Sequence, residues 1–159
     1  MTDRPDIEFV RLSDIPRAEI NAHMSDPRVG RHLPLLAGRW DQAACDAFLA
    51  AKQACWDRDG LGHWAILCDG TYAGWGGFQK EDGEWDFGLV LKPSHFGLGA
   101  RIARKALAFA RADDRIPYVT LLLAPSRRNL RGLDRLGARP VGEAVHEGQR
   151  FLKFQLDTA

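Results

Sequence analysis

Residues 84–107, EWDFGLVLKPSHFGLGARIARKAL, constrain the fold more than any other stretch of this chain. An apolar strand at 87–91 runs into Pro93, then into a glycine pair, Gly97 and Gly99, then into a helix with a basic face. Proline cannot donate to a sheet ladder, so it ends the strand and frees nearby backbone. A glycine turn that opens a helix gathers backbone N–H groups at the positive end of the helix dipole. That arrangement suits a phosphate or pyrophosphate.

The other elements follow from periodicity and punctuation. Residues 7–12 read as a first strand. Ser13 or Asp14 is placed to cap a helix that carries Pro16 in its first turn and runs to about Met24. Ser25-Asp26-Pro27 breaks that helix, and a mixed basic and apolar loop follows. Asp41 caps a second helix, with Trp40, Ala44, Phe48, Ala51 and Cys55 at helical spacing and Asp59-Gly60 as its stop. His63–Cys68 is a strand and Asp69-Gly70 a hairpin turn into a returning strand at 71–79. Gly74, Gly76 and Gly77 inside that strand point to a bulge, or to close approach of a ligand or backbone. Asp82-Gly83 turns into the strand before the glycine pair. A helix at 98–112, a strand at 118–123, a helix at 127–136 and a hairpin of 141–145 with 150–156 over Glu147-Gly148 complete the chain.

Composition excludes several function classes. The chain has 159 residues, 45% of them hydrophobic, which suits one domain with a substantial core. Its 22 basic and 21 acidic side chains give a net charge of +1, so the balance points to neither nucleic acid nor membrane. No apolar run approaches membrane-spanning length, and residues 1–4 carry no signal-peptide pattern. Cys45 and Cys55 lie about 15 Å apart on one expected helix, beyond disulfide reach. Together with Cys68 they lack metal-ligand spacing. Free thiols in a reducing cytoplasm are the expectation, with no metal.

The glycine pair admits two ligand readings. A dinucleotide fingerprint needs a third glycine in a first βα turn, and Ile102 stands in its place past mid-chain. The sequence Phe96-Gly97-Leu98-Gly99-Ala100-Arg101 instead resembles the acyl-CoA signature of the GNAT N-acetyltransferase superfamily, Q/R-x-x-G-x-G/A. Phe96 and Arg101 depart from it at the two ends. An aromatic before Gly-x-Gly is similar to the branch that acetylates ribosomal-protein N-termini. The later run of Tyr118–Leu123, Pro125-Ser126 and Leu136-Gly137-Ala138 resembles the family's strand, P-x-N-x-x-S, helix, L-G-F. Aligned from Leu136-Gly137, the usual Asn falls on Ser126 and the usual Ser on Asn129. Many relatives carry a tyrosine, the general acid, where this chain has Leu133.

The resemblance covers nearly the whole chain. It implies the GNAT fold, an α/β (α+β) arrangement in which a mixed twisted sheet of about seven strands, with a splayed pair, is flanked by about four helices. It implies acetyl-CoA as cosubstrate and a primary amine, from a protein N-terminus or a small molecule, as acceptor; a homodimer is left open. Backbone groups from Phe96, Gly97, Leu98, Gly99, Ala100 and Arg101 would take the pyrophosphate. Free backbone at Leu89 and Leu91 would pair with the pantetheine arm, an N–H near Val90 would face the thioester oxygen, and Asn129 would lie close to the cofactor. Arg104 and Lys105 share the basic helix face and are either phosphate contacts or merely solvated.

Catalysis needs a base for the amine proton and a donor for the departing thiolate. Asp86 shares a strand face with Glu84 and Gly88 and is either the base or an ordinary strand-end acid. His32, in the loop between the first helices, is a second candidate on the acceptor side. Ser126 is a candidate donor to the thiolate, and Trp75 and Trp85 are candidate walls of the acceptor slot or core aromatics. Two other functions compete with amine acetylation: an acyl-CoA-binding module without catalysis, made credible by Leu133 and Ser126, and a plain interaction domain.

Overall fold

The structure is a computed structural model. It describes residues 4–30, 40–125, 131–146 and 148–158. Its strands are β1 Ile7–Val10, β2 His63–Cys68, β3 Thr71–Glu81, β4 Glu84–Leu91, β5 Tyr118–Leu123, β6 Arg139–His146 and β7 Gln149–Asp157. Its helices are α1 Arg17–Met24, α2 Pro27–Gly30, α3 Gln42–Asp59, α4 Gly99–Arg111 and α5 Arg131–Leu136. The strands form one seven-stranded sheet in the order β1-β2-β3-β4-β5-β7-β6. The β4–β5 pair is parallel and the other neighbours are antiparallel.

Local chemistry sets most of these boundaries. Asp69 and Gly70 (φ 51° and 80°) close the β2–β3 hairpin, and Asp82 and Gly83 (φ 50° and 81°) close the β3–β4 hairpin. Positive φ at both central residues matches the right-handed strand twist, and Asp-Gly tolerates it. The Asp41 carboxylate accepts a hydrogen bond from the Ala44 N–H at 2.8 Å, which caps α3 and contributes about 1 kcal/mol. Gly60, at φ 72°, ends α3.

The first helix departs from expectation. Leu12–Asp14 forms a short 3-10 turn, and Pro16, not Ser13 or Asp14, is the residue before α1. Ile15 is extended because the following proline crowds it, so the helix cannot start earlier. Beyond the break, α2 adds a helical turn in which Asp26 accepts from the Arg28 N–H at 2.9 Å.

Both faces of the sheet are covered. On one face, α4 buries Ile102, Ala103, Ala106, Leu107 and Ala110. There they meet Phe78, Trp85, Val119 and Leu91. On the other, Ile20 and Met24 of α1 and Cys45 of α3 pack with Ala65, Tyr72 and Trp75.

Gly74 and Gly76 of β3 answer to close approach of backbone, and Gly77 to the Trp64 ring. A side chain at Gly74 would stand 2.4 Å from the Val90 carbonyl oxygen, and one at Gly76 2.4 Å from that of Gly88. Both positions have positive φ, so any larger residue is strained there as well.

Candidate active site

The sheet opens between β4 and β5. β3 and β4 pair along eight positions, from Glu81↔Glu84 to Gly74↔Leu91. β4 and β5 pair at two, Trp85↔Val119 and Asp86↔Thr120. β5 nevertheless continues to Leu123, paired throughout with β7. The strands therefore splay immediately beyond Asp86. A clasp holds the closed end: Lys153 of β7 donates to Glu84 at 2.6 Å, and the Tyr118 hydroxyl of β5 donates to the same carboxylate at 3.0 Å.

The free edge has a definite phase. The Lys92 N–H donates to the Ala73 carbonyl at 2.8 Å, and the Gly88 and Val90 carbonyls lie against β3. Backbone groups alternate along a strand. Leu89 and Leu91 therefore direct their N–H and C=O groups towards the gap, whereas the Phe87 N–H is taken up by the Asp86↔Thr120 pair. Val90 directs its own towards β3, so the expected Val90 N–H does not face the gap.

This edge leads into the glycine turn. Pro93–Leu98 is a 3-10 turn and Gly99 opens α4. Leu98, before the helix, makes no side-chain cap bond, so none of its side-chain atoms competes for the first N–H groups of α4. Among the described residues, space above the turn is open: a Cβ at Gly97 would meet nothing within 4 Å, and one at Gly99 only Leu91 at 3.9 Å. Gly99 has ordinary helical backbone, φ −54°, so space and not strain accounts for glycine there. Ala100 and Arg101 are exposed beside it, and Phe96 is 47% exposed. Lys105 points elsewhere, its ammonium donating to the Ile7 carbonyl of β1.

Asp86 sits at the fork. Thr120 of β5, buried, donates its hydroxyl to the Asp86 carboxylate at 3.0 Å. Burial pushes the carboxyl up to about 7; Thr120 opposes the shift and the Glu81 charge adds to it, while His146 and Lys153 draw it down weakly. Across β3, Gln79 pairs with Asp86 and accepts from Lys52 of α3 at 3.0 Å. Burial lowers the Lys52 ammonium to about 8. Its Nζ lies 4.8 Å from the Trp75 ring centroid and 5.5 Å from that of Phe48.

The sequence candidates divide accordingly. Asp86, Leu89, Leu91, Gly97, Leu98, Gly99, Ala100 and Arg101 lie along one path from the fork to the helix start. Trp75 belongs to the same face as Lys52, with its indole donating to Met24 Sδ at 3.1 Å. Trp85 lies on the α4 face, buried in the core with its indole donating to the Arg115 carbonyl at 3.0 Å. His32, Ser126 and Asn129 lie outside the described residues. Leu133 packs half-buried against the core. Thr120, Gln79, Lys52 and His63 were not anticipated; Thr120 had a signal, as the one polar residue inside YVTLLL. Among the described residues no group of His, Cys, Asp or Glu could hold a metal ion.

The family described as acetyltransferase (GNAT) domain matches residues 7–138, and the chain belongs to that family. Solved structures share the fold over nearly the full length. A GNAT-family acetyltransferase from Bordetella pertussis is 24% identical with a TM-score of 0.72, covering 98% of this chain and 96% of that one. An aminoglycoside acetyltransferase in complex with coenzyme A is 13% identical with a TM-score of 0.75, covering 97% and 95%. A spermidine N-acetyltransferase chimera from Vibrio cholerae and human sequence is 11% identical with a TM-score of 0.72, covering 98% and 96%. No curated protein matches the chain.

Proposed function

We propose that this protein is an acetyl-CoA-dependent N-acetyltransferase that acts on a primary amine by direct attack in a ternary complex. The observation that carries the reading is the strand gap beyond Asp86, which offers an unpaired backbone edge leading straight to an uncapped helix start. An extended amide-bearing arm pairs with such an edge as an added strand would. Its pyrophosphate then meets the amides of residues 97–101, with Arg101 alongside. Solved neighbours that hold coenzyme A, and others named for aminoglycoside or spermidine acetylation, support the cosubstrate and the amine class.

Asp86 has the properties of the base. With a pKa of about 7 it is largely ionised just above neutrality, yet basic enough to accept a proton from an attacking amine. The amine nitrogen bonds to the acyl carbon, the carbon–sulfur bond breaks, and the amine proton passes to Asp86 directly or through water. Thr120 keeps the carboxylate oriented. The thiolate leaves without the usual tyrosine, since Leu133 holds that position. A thiol with a pKa near 8.5 is a fair leaving group, so transfer is slow but real. Phe96-Gly97-Leu98-Gly99 supports a protein N-terminus as acceptor, and spermidine-type amines are the alternative. The unpaired Cys45, Cys55 and Cys68 suit a reducing cytoplasm.

The test is thiol release from acetyl-CoA with ribostamycin, spermidine and an alanine-initiated peptide as acceptors. We expect turnover with at least one of them. Acetyl-CoA binding with no transfer to any would remove the enzyme reading and leave a binding module.

A further inference from the structure

One buried polar side chain near the fork has no partner. His63 opens β2, is 7% exposed, and has no hydrogen-bond partner on either ring nitrogen among the described residues. Leaving such groups unpaired in the interior costs stability. An apolar residue would fill this place more stably, so the imidazole calls for another account.

Its position supplies one. His63 pairs with Gly77 of β3, which pairs with Gly88 of β4. Neither glycine puts a side chain between the ring and β4. A Cβ built on Gly88 would stand 3.6 Å from both Cε1 and Nε2, so the Nε2 edge of the ring faces Gly88. Gly88 lies two residues beyond Asp86 on the same strand face, about 7 Å away and already past the last β4–β5 pair. Trp75 packs against the ring with centroids 5.4 Å apart, which fixes the edge it presents. Burial, reinforced by the Lys52 charge, holds the imidazole well below its ordinary pKa, so it stays neutral and keeps one nitrogen as an acceptor.

We propose that His63 is a specificity-determining residue of the acceptor site, its imidazole reaching across Gly88 to hydrogen-bond the attacking amine, or the water that carries the amine's proton to Asp86. The proposal rests on the N-acetyltransferase reading. It adds a second polar group to the fork, beside Gly88 on the same sheet face as the carboxylate. The unpaired nitrogens are then a cost to stability that binding of the acceptor relieves.

The experiment compares wild type, His63→Leu, His63→Gln and Gly88→Ala, each with saturating acetyl-CoA and with spermidine, ribostamycin and an alanine-initiated peptide. Gly88 has no positive φ, and an added methyl would make ordinary contact with the ring, so Gly88→Ala folds while closing the approach. We expect His63→Leu to melt no lower than wild type and to lose roughly tenfold or more in acceptor kcat/KM, with acetyl-CoA affinity unchanged. His63→Gln should recover part of that loss, and Gly88→Ala should repeat it. Unchanged acceptor kcat/KM in His63→Leu overturns the proposal, as does an equal loss in the Leu and Gln variants accompanied by weaker acetyl-CoA binding. If wild type binds acetyl-CoA but acetylates none of the three, the transferase reading itself fails and this role for His63 falls with it.

Discussion

Asp86 owes its raised pKa to burial first and to a neighbouring charge only second, which sets the sign of two effects. The folded protein holds the Asp86 proton up to about pH 7, whereas an unfolded aspartate releases it near 3.8. Between those values the folded state binds more protons, so stability falls as pH rises through the window. Asp86→Asn removes that penalty, on the order of a few kcal/mol at most because Thr120 loses an ionic acceptor in the same change. We therefore expect Asp86→Asn to melt higher than wild type at pH 8 and close to it at pH 4. Wild-type kcat/KM for the amine should rise with pH through about 7, carried by the ionised carboxylate. In Asp86→Asn that limb should vanish and turnover should drop by about 10² to 10⁴. An Asn variant that keeps both the limb and the rate would return Asp86 to a purely structural role. Asp86 was legible in the sequence through strand alternation. His63 was not, because what places it is pairing across strands distant in the chain, and Thr120 showed only as a polar residue in an apolar strand.

At the scale of elements, the strand, glycine turn and helix expected over residues 84–107 are present as β4, a 3-10 turn and α4. Gly99 sits in ordinary helical backbone, so what glycine supplies is open space above the first amides of α4. Gly99→Val should then fold with a stability change within about 1 kcal/mol, since its nearest new contact is Leu91 at 3.9 Å. Acetyl-CoA affinity, followed by calorimetry, should fall roughly tenfold or more as the isopropyl group fills the approach. Wild-type affinity in a folded variant would put the pyrophosphate elsewhere. The hairpins over Asp69-Gly70 and Asp82-Gly83 and the Asp41 cap were visible in sequence because their signals are local. Trp85 shows the limit: an aromatic on a strand beside the site looks the same on either face until the partner helix is known. It lies on the α4 face, opposite Asp86.

For the whole molecule, the seven-stranded sheet opens beyond its two β4–β5 residue pairs. β3 secures β4 along its full length and β7 secures β5, so the gap costs neither strand its place in the sheet. The Glu84 clasp to Lys153 and Tyr118 fixes where the fork begins. Binding to this fork alone, at a hundredfold excess of acetyl-CoA over its dissociation constant, would stabilise the fold by roughly 2.7 kcal/mol. Residue-resolved hydrogen exchange on β4, with and without acetyl-CoA, tests this opening as the acetyl-CoA site. The amides of Leu89 and Leu91 point into the gap, and we predict that they exchange quickly alone and slow by roughly tenfold or more with acetyl-CoA, together with the amides of residues 97–101. Unchanged exchange at Leu89 and Leu91, under conditions where acetyl-CoA raises the melting temperature, would contradict it.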